Sequence, residues 1–324
     1  MHYSHEYATS RKTDLGSPDP AAQYAIVMPP PGEPHVNPDT FNAIHQFWLL
    51  MRSRRMLWTI LTIAVSVYAS LCLFFFVFQR SFIYMPTPAM PMHGAAAVLE
   101  VPGARLRLST RPLDGPKALV SFGGNAEDVA STLPQLAAAF PDRAIYALHY
   151  RGYSGSSGQP AEAAMRNDAR ALFKMVHGRH PDVMAVGRSL GSSLAIQLAA
   201  EGPVSRLVLI APFESILAIA SRVAPFLPMR LLLRDPWQSW RYAPRVTCPT
   251  LILAASHDEI VPMSDTKKLF EAFQPGVATL RVIDGTDHNS VSCPEEFWEA
   301  LVEEKERKEK ELRPPTLDRS TLTR

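Results

Sequence analysis

The hydrophobic and polar positions divide the chain into stretches of different character. Residues 1–51, rich in Pro, His, Asp and Ser, keep no sustained period of 2 or 3.6, which predicts a disordered tail. From Met56 to Phe78 no charged side chain interrupts 23 residues, enough for about 34 Å of helix. A buried core helix is rarely apolar on every face, so this run is read as a membrane span and residues 52–80 as a retained signal anchor. Arg52, Arg54 and Arg55 precede the run and Arg80 follows it, a bias that predicts a cytoplasmic N-terminus and an extracytoplasmic remainder, periplasmic in a bacterium. Residues 81–94 contain Pro86, Pro88 and Pro91 and read as a stiff, extended spacer.

Between residues 95 and 302, apolar runs of strand length alternate with helical patterns. The expected strands are Ala118 to Phe122, Ala144 to His149, Val183 to Val186, Leu207 to Ile210, Thr250 to Leu253 and Thr279 to Ile283. The expected helices are Ala130 to Phe140, Ala161 to His177, Leu190 to Ala200, Ser264 to Phe273 and Pro294 to Lys310. That alternation predicts an α/β fold with a mostly parallel sheet covered by helices on both faces. An oversized connection over residues 213–247 interleaves Leu, Ile, Met and Trp with arginines. It is read either as a small cap over the site, binding an acyl chain or resting on lipid, or as a packed helical insert. Residues 303–324 alternate Glu with Lys and Arg before Pro314 and Pro315, a solvated tail.

Composition narrows the function. Lys plus Arg (33) nearly cancel Asp plus Glu (31), so no basic field exists to collect nucleic acid. Cys72, Cys248 and Cys293 lack the paired spacing of zinc or redox motifs. A Cys248–Cys293 disulfide is the lesser reading, and no metal or organic cofactor is expected.

The candidate chemistry lies at Gly187-Arg188-Ser189-Leu190-Gly191, a Gly-x-Ser-x-Gly sequence joining an apolar strand to a helix. Such a nucleophile elbow holds its serine on a tight turn at the carboxyl edge of a sheet. A serine hydroxyl needs a base, and the base needs an orienting acid. Asp258 follows the strand Thr250 to Leu253 within Asp-x-x-Val-Pro, with Glu259 as a rival. His288 follows the next strand in Gly-Thr-Asp-His-Asn and completes the order Ser, Asp, His, which His149 and His257 do not. Phe122-Gly123-Gly124-Asn125 suits an oxyanion loop, with the backbone N–H groups of Asn125 and Leu190 as donors. Arg151 and Asp168 are expected to form a buried ion pair bracing the loop between them.

Gly-Gly-Asn-Ala-Glu-Asp at 123–128, Tyr-Arg-Gly-Tyr-Ser-Gly at 150–155, Gly-Arg-Ser-Leu-Gly-Ser at 187–192, His-Asp-Glu-Ile-Val-Pro at 257–262 and Asp-His-Asn at 287–289 together resemble the Bem46-like branch of the α/β-hydrolases. The likeness runs from about Leu119 to Leu301 and implies an eight-stranded, mostly parallel sheet and the same triad. Relatives often carry His-Gly where this chain has Gly123-Gly124, so how the oxyanion loop is braced stays open. The expectation is a membrane-anchored serine hydrolase, tethered through residues 56–78, acting on an acyl ester or thioester, with lipid-derived substrates favoured. A serine aminopeptidase-like enzyme and a catalytically inactive membrane-tethered scaffold are the alternatives.

Overall fold

A computed structural model describes residues 38–89 and 95–302. The expected features within 1–37, 90–94 and 303–324 lie outside the described residues. The chain forms two compact units, one ending at Ser66 and one beginning at Val67.

The first described element, α1, runs from Pro38 to Ile83. It is long and apolar enough to cross a membrane, and none of its most apolar stretch is buried. It starts well before residue 52, so residues 38–51, expected to be disordered, are helical. Pro38 opens the helix without sacrificing a needed N–H, Asp39 complements the dipole of the first turn, and Phe41, Ile44 and Trp48 supply helical spacing.

The second unit is built on one eight-stranded sheet in the order β1-β2-β4-β3-β5-β6-β7-β8. Strands β1 (Ala95–Val101) and β2 (Ala104–Arg111) form an antiparallel hairpin that the sequence reading did not single out. Its turn is Pro102-Gly103, and Gly103 supplies the positive φ of 76°. β2 pairs antiparallel with β4 (Ala144–Leu148), and the remaining pairings, through β3 (Lys117–Phe122), β5 (Asp182–Arg188), β6 (Arg206–Ile210), β7 (Thr250–Ala255) and β8 (Ala278–Ile283), are parallel.

The central strands read as unbroken apolar runs because each buries both faces. On β5, Val183 and Ala185 enter one core while Met184 and Val186 enter the other. On β6, Leu207 and Leu209 are divided from Val208 and Ile210 in the same way. Helices α3 (Glu162–His177), α4 (Leu190–Glu201) and α7 (Met263–Ala272) supply apolar side chains to the first core. Helix α2 (Leu133–Ala139) and a final helix over residues 295–302 supply the second. The 213–247 connection contains α5 (Ile216–Val223) and α6 (Met229–Leu232), followed by two short 3-10 turns.

The described part of the expected spacer is not a free linker. An extended segment makes no internal hydrogen bonds, so its backbone groups need other partners. Ser154 donates its N–H to Thr87 O at 2.8 Å, and the Thr87 and Ser154 hydroxyls meet at 2.7 Å. The Met85 N–H reaches the side chains of Asn125 (2.9 Å) and Tyr153 (3.0 Å).

Candidate active site

Ser189 sits between the end of β5 and the first residue of α4 at φ 46°, ψ −112°, a backbone state rare outside glycine that costs about 1–3 kcal/mol. Its flanking glycines are dictated by contact. A Cβ on Gly187 would lie 2.5 Å from Gly191 O, and one on Gly191 would lie 2.1 Å from Phe122 O. With no side chain at either position, α4 can approach the end of β3 and lift the serine above the sheet edge.

The structure brings Ser189, His288 and Asp258 together from three separate strand ends. Ser189 Oγ lies 2.9 Å from His288 Nε2, and His288 Nδ1 lies 2.7 Å from Asp258 Oδ2. The other carboxylate oxygen of Asp258 accepts the N–H groups of Ile260 (3.0 Å) and Val261 (2.7 Å), leaving Oδ2 to hold the imidazole. In the tautomer whose Nδ1–H faces the carboxylate, Nε2 is an acceptor toward the serine hydroxyl. The rivals lie elsewhere. Glu259 is exposed, and exposed His257 turns Nδ1 to Ser256 Oγ at 2.8 Å. His149 is buried against Ser109 Oγ at 2.9 Å, and burial pushes its pKa down to about 4.

The backbone N–H groups of Asn125 and Leu190 find no acceptor among the described residues, and both residues line the cavity that holds Ser189. The loop carrying Asn125 is fixed by contacts that sequence reasoning missed. Glu127 Oε2 accepts the Gly124 N–H and a hydrogen bond from Arg188 Nη1 at 2.9 Å. Arg188 also donates through Nη2 to His288 O at 3.1 Å, so the residue preceding the serine ties the loop carrying Asn125 to the loop carrying His288. Tyr150 donates to Gly123 O at 2.7 Å. The Asn125 side chain is held on both ends: Oδ1 accepts from Tyr153 OH (2.7 Å) and the Met85 N–H, and Nδ2 donates to Ile83 O (2.6 Å). Together these contacts answer how the loop is braced without a His-Gly pair. Glu127 and Arg188 both lie inside the quoted motifs, but spacing alone did not reveal that they meet.

Arg151 and Asp168 do pair, in a buried two-point bridge at 2.7 and 2.6 Å. Cys248 and Cys293 are both free. Burial pushes the Cys248 thiol up to about 11, which leaves it inert at neutral pH.

A cavity of about 620 Å³ opens at Ser189 and His288. Apart from the polar residues around the triad and Gln79, its wall is apolar, supplied by α1 (Phe75, Phe82, Ile83) and by the insert (Ile219, Val223, Met229). No carboxylate lines it among the described residues.

An eight-stranded, mostly parallel sheet with a serine on the tight turn after its central strand defines the α/β-hydrolase superfamily, and the chain belongs to it. No family model matches the chain. An uncharacterized protein of Mycobacterium tuberculosis, Rv2307c, is 32% identical over 251 residues, spanning 71% of this chain and 87% of that protein. The human alpha/beta hydrolase domain-containing protein 17B is 29% identical over 161 residues, 48% of this chain and 54% of its own length. Among solved structures, the esterase Pf2001 of Pyrococcus furiosus superimposes with a TM-score of 0.56 at 15% identity, covering 69% of this chain and 97% of that one.

Proposed function

We propose that the protein is a membrane-anchored serine hydrolase that cleaves an ester or thioester of an apolar acyl group. One observation carries the reading: the hydrogen-bonded series from Ser189 through His288 to Asp258 stands at the mouth of an apolar cavity. In this mechanism His288 Nε2 takes the hydroxyl proton as Ser189 Oγ bonds to the carbonyl carbon. The oxyanion that forms is met by the N–H groups of Asn125 and Leu190, donors worth about 3 kcal/mol each in such sites. When the carbon–oxygen or carbon–sulfur bond breaks, the imidazolium returns its proton to the leaving group. Water then attacks the acyl-serine, with His288 again acting as base, and releases the acid and free serine.

The substrate class follows from the cavity wall. An aminopeptidase holds a terminal ammonium, which needs an anion nearby, and among the described residues this wall supplies none. An acyl chain needs only apolar surface, at roughly 0.8 kcal/mol for each CH₂ buried. Residues 56–78 serve as the anchor, with the N-terminus cytoplasmic and the hydrolase domain, residues 95–302 with its insert at 213–247, outside. An inactive scaffold would have no reason to keep a strained serine in contact with an oriented imidazole.

The test treats the detergent-solubilised protein with a fluorophosphonate probe and with p-nitrophenyl esters of increasing chain length. Wild type is expected to label and to prefer longer chains, while Ser189→Ala and His288→Ala lose turnover by at least about a thousandfold. A folded wild-type protein that neither labels nor turns over any ester would leave the scaffold as the better reading.

A further inference from the structure

The cap insert carries a surface that the hydrolase reading does not use. Outside α1, the most exposed large apolar side chains among the described residues are Leu231 (81%), Val223 (78%) and Phe226 (62%), all on the insert. Residues 215–234, 20 in all, contain Arg222, Arg230 and Arg234 but no acidic residue. Exposed apolar side chains with arginines and without acids are the composition of an element that lies in a bilayer interface.

The neighbours of the insert give its depth. Ala224, Leu227 and Met229 pack with Leu71, Cys72 and Phe75 of α1, and Tyr68 OH donates to Phe226 O at 2.9 Å. Counted from Met56, a hydrocarbon core of about 30 Å takes roughly 20 residues and ends near Phe75. The α1 residues that meet the insert therefore belong to the last turns of the span, roughly 6 Å inside its outer boundary. Interfacial elements bury their apolar faces to about 5–10 Å. The same cavity that holds Ser189 and His288 is lined by Phe75 and by the exposed Val223.

We infer that the insert, α5 and α6 with their connecting turn, is embedded in the outer leaflet, and that the cavity admits its substrate laterally from that leaflet. The substrate is then an ester lipid whose acyl chain resides in the membrane. This rests on the anchored-hydrolase reading and adds the route by which the acyl chain arrives. Phe226 and Leu231 face the lipid without lining the cavity, while Val223 stands where the two surfaces meet.

The experiment uses the full chain in phosphatidylcholine vesicles. An environment-sensitive fluorophore is placed at Phe226→Cys or Leu231→Cys in a background of Cys72→Ser, Cys248→Ala and Cys293→Ser, with Val282→Cys on β8 as the aqueous reference. The two insert sites are expected to emit as in an apolar medium and to be quenched by doxyl-labelled lipid at least about twofold more than the reference. Aqueous emission without quenching would overturn the inference. Apolar emission in detergent, with no lipid quenching in vesicles and cross-linking to a second chain, would assign the face to a dimer and overturn it equally. A second arm compares Phe226→Asp and Leu231→Asp on a long-chain ester lipid within the vesicle and on a short soluble ester. The ratio of the two rates should fall about tenfold or more while the soluble rate stays within about twofold. Equal loss on both substrates, or no loss on either, contradicts lateral delivery. Protein that fails to float with vesicles sinks the anchor, and unlabelled Ser189 in otherwise folded protein sinks the catalysis. The fluorophore's depth is read independently of activity, so these failures are distinguishable.

Discussion

Replacing Asn125 by alanine would leave its backbone N–H in place while removing the side-chain bonds to Tyr153, Met85 and Ile83. On the proposed role of that N–H as an oxyanion donor, the variant loosens the donor's position and is expected to lose about 10- to 100-fold in kcat with KM little altered. Steady-state kinetics on a p-nitrophenyl ester check this, and a change confined to KM would show that Asn125 serves binding. This clamp was not legible beforehand because its members lie about 30 and 40 residues away, at distances no spacing rule connects. That Ser189, Asp258 and His288 would meet was legible because each lies within a few residues of the end of an apolar strand, in a fixed order. His149 makes a separate prediction. Its pKa falls from the ordinary 6.5 to about 4 on folding, so between those values the unfolded chain binds the extra proton and stability falls as pH drops. Thermal unfolding from pH 7 to pH 4 should therefore be less steeply pH-dependent in His149→Gln, which keeps a polar partner for Ser109.

At the scale of elements, the approach of α4 to β3 decides whether the elbow forms. Gly191→Ala would drive a methyl into the carbonyl of Phe122, which is backbone within a central strand and has little freedom to yield. A loss of about 3 kcal/mol, or roughly 10 °C in Tm, is expected, together with loss of fluorophosphonate labelling. An unchanged melting curve would mean that helix and strand separate more easily than their packing implies. Of the parallel-paired strands, β3 to β7 could be read directly because burial on both faces makes each a largely apolar run, whereas β8, half-exposed at the sheet edge, was legible despite Arg281 in its middle. The β1–β2 hairpin lies at the sheet edge, where β1 alternates exposed with half-buried positions, and its weaker pattern passed unnoticed despite Pro102-Gly103. The early start of α1 was missed for a related reason: His45, Arg52, Arg54 and Arg55 interrupt the apolar run without interrupting the helix.

For the whole molecule, the segment that leaves the apolar run is part of the hydrolase unit. Gln79 donates to Leu232 O at 2.9 Å and accepts the Arg234 N–H at 2.6 Å. Arg80 and Tyr84 both bond Asp235 Oδ2, at 2.8 and 3.0 Å, and the Asp235 side chain is only 4% exposed. Trp237, fully buried, donates through Nε1 to Tyr84 OH at 3.2 Å and through its backbone to Glu162 at 2.8 Å. A chain starting at Val67 keeps every one of these contacts, whereas a chain starting at Met85 strands a buried carboxylate and removes the Ile83 carbonyl from Asn125. Leaving such a charge without its partners costs about 3 kcal/mol or more, even allowing for the half-exposed Arg80. In detergent, the chain lacking residues 1–66 is expected to label at Ser189 as the full chain does, and the chain lacking residues 1–84 to lose most labelling and unfold at lower temperature. Equal labelling and equal melting of the two truncations would mean that the end of α1 tethers the enzyme without helping to build it. The predicted difference would instead make the anchor a wall of the active site, so that catalytic competence and membrane attachment depend on the same few residues.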